Sequence, residues 1–125
     1  MVIGDFGCGR ARLAELLNKN RVYSFEHHNI LNDKIIACNM KKTPLEKNEL
    51  DVAVFSLSLM ELDWIEYIIE AKRCLVKNGW LFIAETTSQL SARLSTLKNE
   101  ITKHGFEIRS EKQEGDFTFI DAMKL

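Results

Sequence analysis

A chain of 125 residues with a net charge of −1 is one domain's worth of sequence, and it has no overall basic field to draw it onto nucleic acid or anionic lipid. Hydrophobic residues make up 46% and charged residues 28%, the balance of an ordinary globular domain, and no run nears the ~18 apolar residues of a membrane span. Cys8, Cys38 and Cys74 stand far apart with no Cys-x-x-Cys pair, which argues against a disulfide framework or a metal site, so a soluble, intracellular domain with no membrane contact is expected.

In chain order, Val2-Ile3-Gly4 begins a short apolar strand that leads through Asp5 into a glycine turn, Gly7-Cys8-Gly9. Between Arg10 and Lys19, Leu13, Ala14, Leu16 and Leu17 form a helical stripe. Arg21–Glu26 (RVYSFE) is rich in β-formers and ends on an acid; Lys34–Cys38 (KIIAC) reads as a second short buried strand. Asp51–Leu59 (DVAVFSLSL) is the clearest strand, its nearly continuous apolar character implying burial on both faces. A helix follows, with Trp64, Ile68, Ala71 and Leu75 on one face and Ile65 and Ile69 widening it. Asp63 is its expected N-cap and Asn78-Gly79 its stop, with Lys72 and Arg73 near the end.

Trp80–Glu85 (WLFIAE) is another strand buried on both faces. Leu90, Leu94, Leu97 and Ile101 then keep helical spacing and predict the longest helix, ending at His104-Gly105. Phe106–Glu111 and Asp116–Met123 alternate apolar and polar residues around KQEG, the signature of an antiparallel hairpin. Strands alternating with helices imply an α/β fold over residues 1–125, a single domain whose seven-stranded, mainly parallel sheet is covered on both faces and ends in that hairpin.

Ligands of such sheets gather at the carboxyl ends of the strands, near the topological switch, and the glycine turn falls there. Gly7 and Gly9 can take φ > 0 and leave no Cβ in a ligand's way. Arg12 stands where the dinucleotide fingerprint needs its third glycine, which disfavours an NAD enzyme. Asp5 would repel a pyrophosphate, yet it suits a ligand with a sulfonium and an ammonium group, the charge pattern of S-adenosylmethionine. Glu26 ends the next strand, where an acid can accept from two ribose hydroxyls.

The blocks DFGCGRARLA, ACNMKKTPLEKNELDVAVFSLSLM, EAKRCLVKNGWLFIAE and ITKHGFEI resemble the methyltransferase domain of the ribosomal RNA-processing protein eight (nucleomethylin) family. The resemblance runs from Asp5 through the final hairpin. DVAVFSLSLM is its most specific part, with Ser56 where the family typically has Cys. The resemblance implies a Rossmann-like class I fold and an S-adenosylmethionine-dependent enzyme that methylates a ring nitrogen of adenine in large-subunit ribosomal RNA. In a eukaryote it would act in the nucleus or nucleolus, otherwise in the cytoplasm, and protein partners stay open. Carried over by position, Gly7 would contact the cofactor and Glu26, where the family has Asp, its ribose. Asn39, where Asp is usual, and Met40 would flank the adenine, and Ser56 would sit at the end of the fourth strand.

Enzymes of this class place helices ahead of the first strand. A chain whose strand starts at Val2 is therefore expected to lack those covering helices and the basic extension of a nucleolar enzyme, as a fragment or as a short form with an open site. Pro44 is the one proline, so neither the Asp/Asn-Pro-Pro-aromatic turn of amino-group methylation nor the Pro-Cys nucleophile of cytosine C5 enzymes is present. No general base can be named: Glu61 and Asp63 read as a loop and a cap, and His27-His28 as a solvated loop. Trp64, Tyr67 and Trp80 read as core, and Lys41, Lys42 and Lys47 as a solvated face beside the adenine segment. The competing readings are methylation of a small molecule or protein, a degenerate module that binds cofactor without catalysis or serves as a scaffold in a protein complex, and, last, an NAD-type oxidoreductase.

Overall fold

The computed structural model describes residues 1–7, 20–26, 35–38, 40–56 and 63–125, with backbone alone at Ile35 and Ala37. The described strands are β1 (Val2–Phe6), β2 (Arg21–Glu26), β3 (Ile35–Ala37), β4 (Leu50–Ser56), β5 (Leu75–Thr86), β6 (Phe106–Glu114) and β7 (Phe117–Lys124). They form one seven-stranded sheet in the order β3-β2-β1-β4-β5-β7-β6. The first five strands pair in parallel, and β7 enters antiparallel between β5 and β6. This is the expected α/β sheet with its terminal hairpin. The helix expected over Arg10–Lys19 lies outside the described residues.

The apolar runs explain the middle of the sheet. In β4, Leu50, Val52, Ala53 and Phe55 are all buried, as a strand covered on both faces requires. Phe6, Phe25 and Phe55, at the same level on three adjacent strands, bring their rings within 5.2 Å (Phe6–Phe25) and 4.9 Å (Phe6–Phe55). Helix α1 (Trp64–Cys74) adds Trp64, Tyr67, Ile68, Ala71 and Cys74 to the core. Each fully buried large side chain contributes roughly 1.5–3 kcal/mol of transfer free energy. Trp64 and Tyr67 are core residues as expected, whereas Trp80 is only half-buried and stacks on Phe82.

Four features differ from the sequence reading; the fourth strand is followed as far as Ser56, and Leu57–Leu59 lie outside the described residues. Asp63 holds the N-cap position of α1, and its carbonyl accepts from the Tyr67 N–H at 3.2 Å, but its side chain makes no cap hydrogen bond. That carboxylate turns instead to Lys41, at 2.9 Å. Leu75 already pairs with Leu50, so β5 starts before Asn78-Gly79; the ladder shifts register there, with Asn78 at φ 66°. The predicted long helix is two pieces, α2 (Thr87–Leu90) and α3 (Leu94–Lys103), split by a turn at residues 91–93. The hairpin is tighter than expected, because KQE continues β6 and only Gly115-Asp116 turn.

Two polar contacts tie distant parts of the sheet together. The Lys124 ammonium donates to the carbonyls of Lys72 and Leu75, at 2.7 and 2.6 Å, satisfying the end of α1 from β7. Asp51 accepts from the Val2 N–H at 2.7 Å where β1 begins. The edge strand β6 exposes Glu107, Arg109, Glu111, Lys112 and Glu114. No helix among the described residues is long and apolar enough to cross a membrane.

Candidate functional site

Because β1 pairs in parallel with both β2 and β4, their carboxyl ends lie level: Phe6 faces Phe25 on one side and Phe55 on the other. The next residue of each strand is then Gly7, Glu26 and Ser56, on neighbouring strands about 4.8 Å apart. The order places Gly7 in the middle, at β1, and β1 and β4 flank the point where the chain's direction of travel across the sheet reverses. Cys38, just past β3, extends the row by donating its N–H to the Glu26 carbonyl at 3.0 Å.

Gly7 takes φ 74°, the left-handed conformation anticipated for the turn, and its N–H reaches the Phe25 carbonyl at 2.9 Å. Beneath it, Asp5 is buried with 5% of its surface exposed. Burial first, and the Glu26 charge second, push the Asp5 carboxyl up from 3.8 to about 6. Two acids thus act on each other beside a left-handed glycine, an arrangement that gains from a cation arriving between them. Ser56 is exposed at the β4 end. Met40 is 1% exposed and joins the hydrophobic core. Gly9, Asn39 and Arg12 lie outside the described residues, as do His27, His28 and Glu61.

A buried polar cluster joins the segment after β3 to α1, and the sequence reading missed it. Glu70, 4% exposed, accepts from the N–H and hydroxyl of Thr43, both at 2.7 Å, and from Arg73 Nε and Nη2, both at 2.6 Å. Burial pushes the Glu70 carboxyl up, but the hydrogen bonds from Arg73 and Thr43 outweigh it and hold the group below its usual value. Arg73 therefore serves a buried partner rather than the end of its helix. The signal was available: Glu70 falls three residues after Tyr67 and four before Cys74, on the apolar stripe. Cys74 beside it is buried, and its thiol is pushed up to about 11, chiefly by burial, which favours the protonated thiol. Lys41 is not merely a solvated charge, since it pairs with Asp63 and with Glu66 at 2.9 and 3.1 Å; Lys42 and Lys47 are exposed.

Residues 1–125 match the family described as "Hypothetical methyltransferase". The sequence is 42% identical over 125 residues to Ribosomal RNA-processing protein 8 of Dictyostelium discoideum, covering 98% of this chain and 32% of that protein. It is 33% identical to the 25S rRNA (adenine(645)-N(1))-methyltransferase of Schizosaccharomyces pombe, covering 100% of this chain and 41% of that one. The chain thus spans a third to two-fifths of these relatives. Among solved structures, a SAM dependent methyltransferase from Aquifex aeolicus superposes with a TM-score of 0.79 at 15% identity, covering 100% of this chain and 82% of that one. The fold is the Rossmann-like class I methyltransferase fold. The chain belongs to the hypothetical methyltransferase family, and its curated relatives are the ribosomal RNA-processing proteins that its quoted blocks resemble.

Proposed function

We propose that this domain binds S-adenosylmethionine at the ends of β1, β2 and β4 and transfers its methyl group to a ring nitrogen of adenine in ribosomal RNA. The observation that carries the cofactor reading is the pairing of a buried Asp5 carboxyl, raised to about 6, with Glu26 beside the left-handed Gly7 turn. Phosphate ligands would meet two repelling acids there; a ligand bearing a sulfonium and an ammonium meets two attracting ones. The acceptor reading rests on the relatives, two of which carry ribosomal RNA processing or adenine N1 methylation in their names. On this reading the site of action in a eukaryote is the nucleolus.

Gly7, with Gly9 beyond it, presents bare backbone to the cofactor, and Glu26 accepts from both ribose hydroxyls. Asn39 supplies a side-chain oxygen and amide to the adenine edge, while Met40 borders the ring and Ser56 sits at the end of the fourth strand. Asp5 balances the cofactor's positive charge from below. The cofactor, when bound, supplies an electrophilic methyl group. Transfer would be an in-line displacement in which the ring nitrogen–methyl bond forms as the sulfur–methyl bond breaks and the neutral thioether leaves, and the protein's work is to align donor and acceptor and keep water out. No side chain is required to form a covalent bond.

Calorimetry with S-adenosylhomocysteine and NADH tests the cofactor, with binding of the first and silence toward the second expected. Transfer of labelled methyl to ribosomal RNA from cells lacking the modification tests the acceptor. Cofactor binding with no transfer to any RNA would replace the enzyme by a binding module; binding of NADH alone would overturn the reading altogether.

A further inference from the structure

The segment that follows β3 carries Met40 and runs on to β4 without regular structure, so its backbone polar groups must find partners elsewhere. It is fastened at three levels. Cys38 donates to the Glu26 carbonyl at 3.0 Å, Lys41 pairs with Asp63 and Glu66 at 2.9 and 3.1 Å, and Thr43 gives both of its donors to Glu70 at 2.7 Å. Arg73 completes the set: one side of its guanidinium holds Glu70, and Nη2 also reaches the Leu45 carbonyl at 2.7 Å. A little further on, the Asn48 N–H donates to the Arg73 carbonyl at 3.2 Å. Every one of these later partners belongs to α1 or its cap, the helix that begins after the segment following Ser56.

We propose that Glu70 and Arg73 are positioning residues for the cofactor: by clamping Thr43 and Leu45 to α1, they fix the segment that borders the adenine. The inference rests on the cofactor reading above. Burying a carboxylate is costly unless donors surround it, and a solvated acid at this place on α1 would serve solubility equally well. Four donated hydrogen bonds to a carboxylate that is 4% exposed instead specify one shape for residues 40–45. A segment held in its binding shape in advance loses little freedom when the ligand arrives, so the clamp acts on affinity and not on the transfer step.

The test compares the 125-residue chain with Thr43→Val, Arg73→Lys and Glu70→Gln, titrated with S-adenosylhomocysteine and followed by amide exchange over residues 40–45. Each variant is expected to speed exchange in that segment while the core strands keep their protection. Binding should weaken roughly ten-fold, the change produced when the binding shape is populated a tenth of the time. Saturating ligand should return the lost protection. Thr43→Val and Arg73→Lys keep shape or charge, so they carry the test if Glu70→Gln unfolds the chain. Variants that bind normally, with or without faster exchange, overturn the clamp while leaving the cofactor reading intact. A native chain that ignores S-adenosylhomocysteine overturns that reading and the clamp with it.

Discussion

Gly7 donates its backbone N–H to the Phe25 carbonyl at 2.9 Å, one residue short of Glu26, so the turn after β1 and the acid that ends β2 are fixed to each other. At φ 74° the turn tolerates a side chain poorly, and a β-branched one worst. Gly7→Val is expected to destabilise the fold by about 1–2 kcal/mol and to abolish cofactor binding. Melting curves and calorimetry on the same sample check both. A folded variant that binds normally would remove the turn from the site.

Asp5 should make stability fall with rising pH. Its carboxyl is raised from 3.8 to about 6, so the folded state holds a proton that the unfolded chain has released. The corresponding stability is fully present below pH 3.8 and is lost as pH rises through about 6. Asp5→Asn is therefore expected to stabilise the free domain at neutral pH, by about 1–3 kcal/mol, while weakening affinity for S-adenosylmethionine. The native chain should bind that cation more tightly as pH rises through about 6, and Asp5→Asn should flatten the dependence. Denaturant midpoints and calorimetry across that range give the two slopes.

Glu26→Gln keeps the shape of the side chain and removes its charge. Losing charged hydrogen bonds to a ribose is expected to weaken S-adenosylhomocysteine binding roughly 10–100-fold. The same change removes the second cause of the Asp5 shift, so the Asp5 carboxyl should titrate lower than in the native chain. Carboxyl NMR shifts against pH would register it. An unmoved Asp5 would mean that the two acids do not sense each other.

Arg73→Ala would leave the buried Glu70 carboxylate with Thr43 as its main donor. A loss of roughly 3 kcal/mol is expected, since a buried ion pair broken on one side strands its partner. Because Glu70 is held below its usual value in the native fold, its contribution is present above the ordinary carboxylate pKa of 4.5 and fades as pH falls through the lower folded value. The destabilisation should accordingly shrink in acid. Urea midpoints at neutral and acid pH distinguish this from a loss that ignores pH.

Much of the architecture could be read from the residues because the apolar runs of β4 and β5 and the alternation of β6 and β7 are direct consequences of what each strand faces. Position across the sheet was not legible: nothing local in FTFIDAMK says that it enters between β5 and β6, since that order depends on ladders formed at a distance. The break at residues 91–93 was hidden because Leu90, Leu94, Leu97 and Ile101 keep helical spacing across it. Among the site residues, Gly7, Glu26 and Ser56 fall level because parallel register aligns strand ends, which sequence order alone allows one to argue. Glu70 escapes a reading that follows apolar residues alone, although its spacing from Tyr67 and Cys74 puts it on the buried stripe. Asp63 was read as a cap because its position is right, but Lys41 is a charged partner and the helix N–H groups are not.

An open ladder invites a stranger's backbone to continue it, and the far side of this sheet is such a ladder. There β6 turns outward a mixed row of acids and bases, Glu107, Arg109, Glu111, Lys112 and Glu114, with Lys98 bridging to Glu111 at 2.7 Å. An approaching copy would have to strip water from these charges before its first backbone hydrogen bond could form. At that margin, then, the charged row disfavours edge-to-edge addition of a second copy.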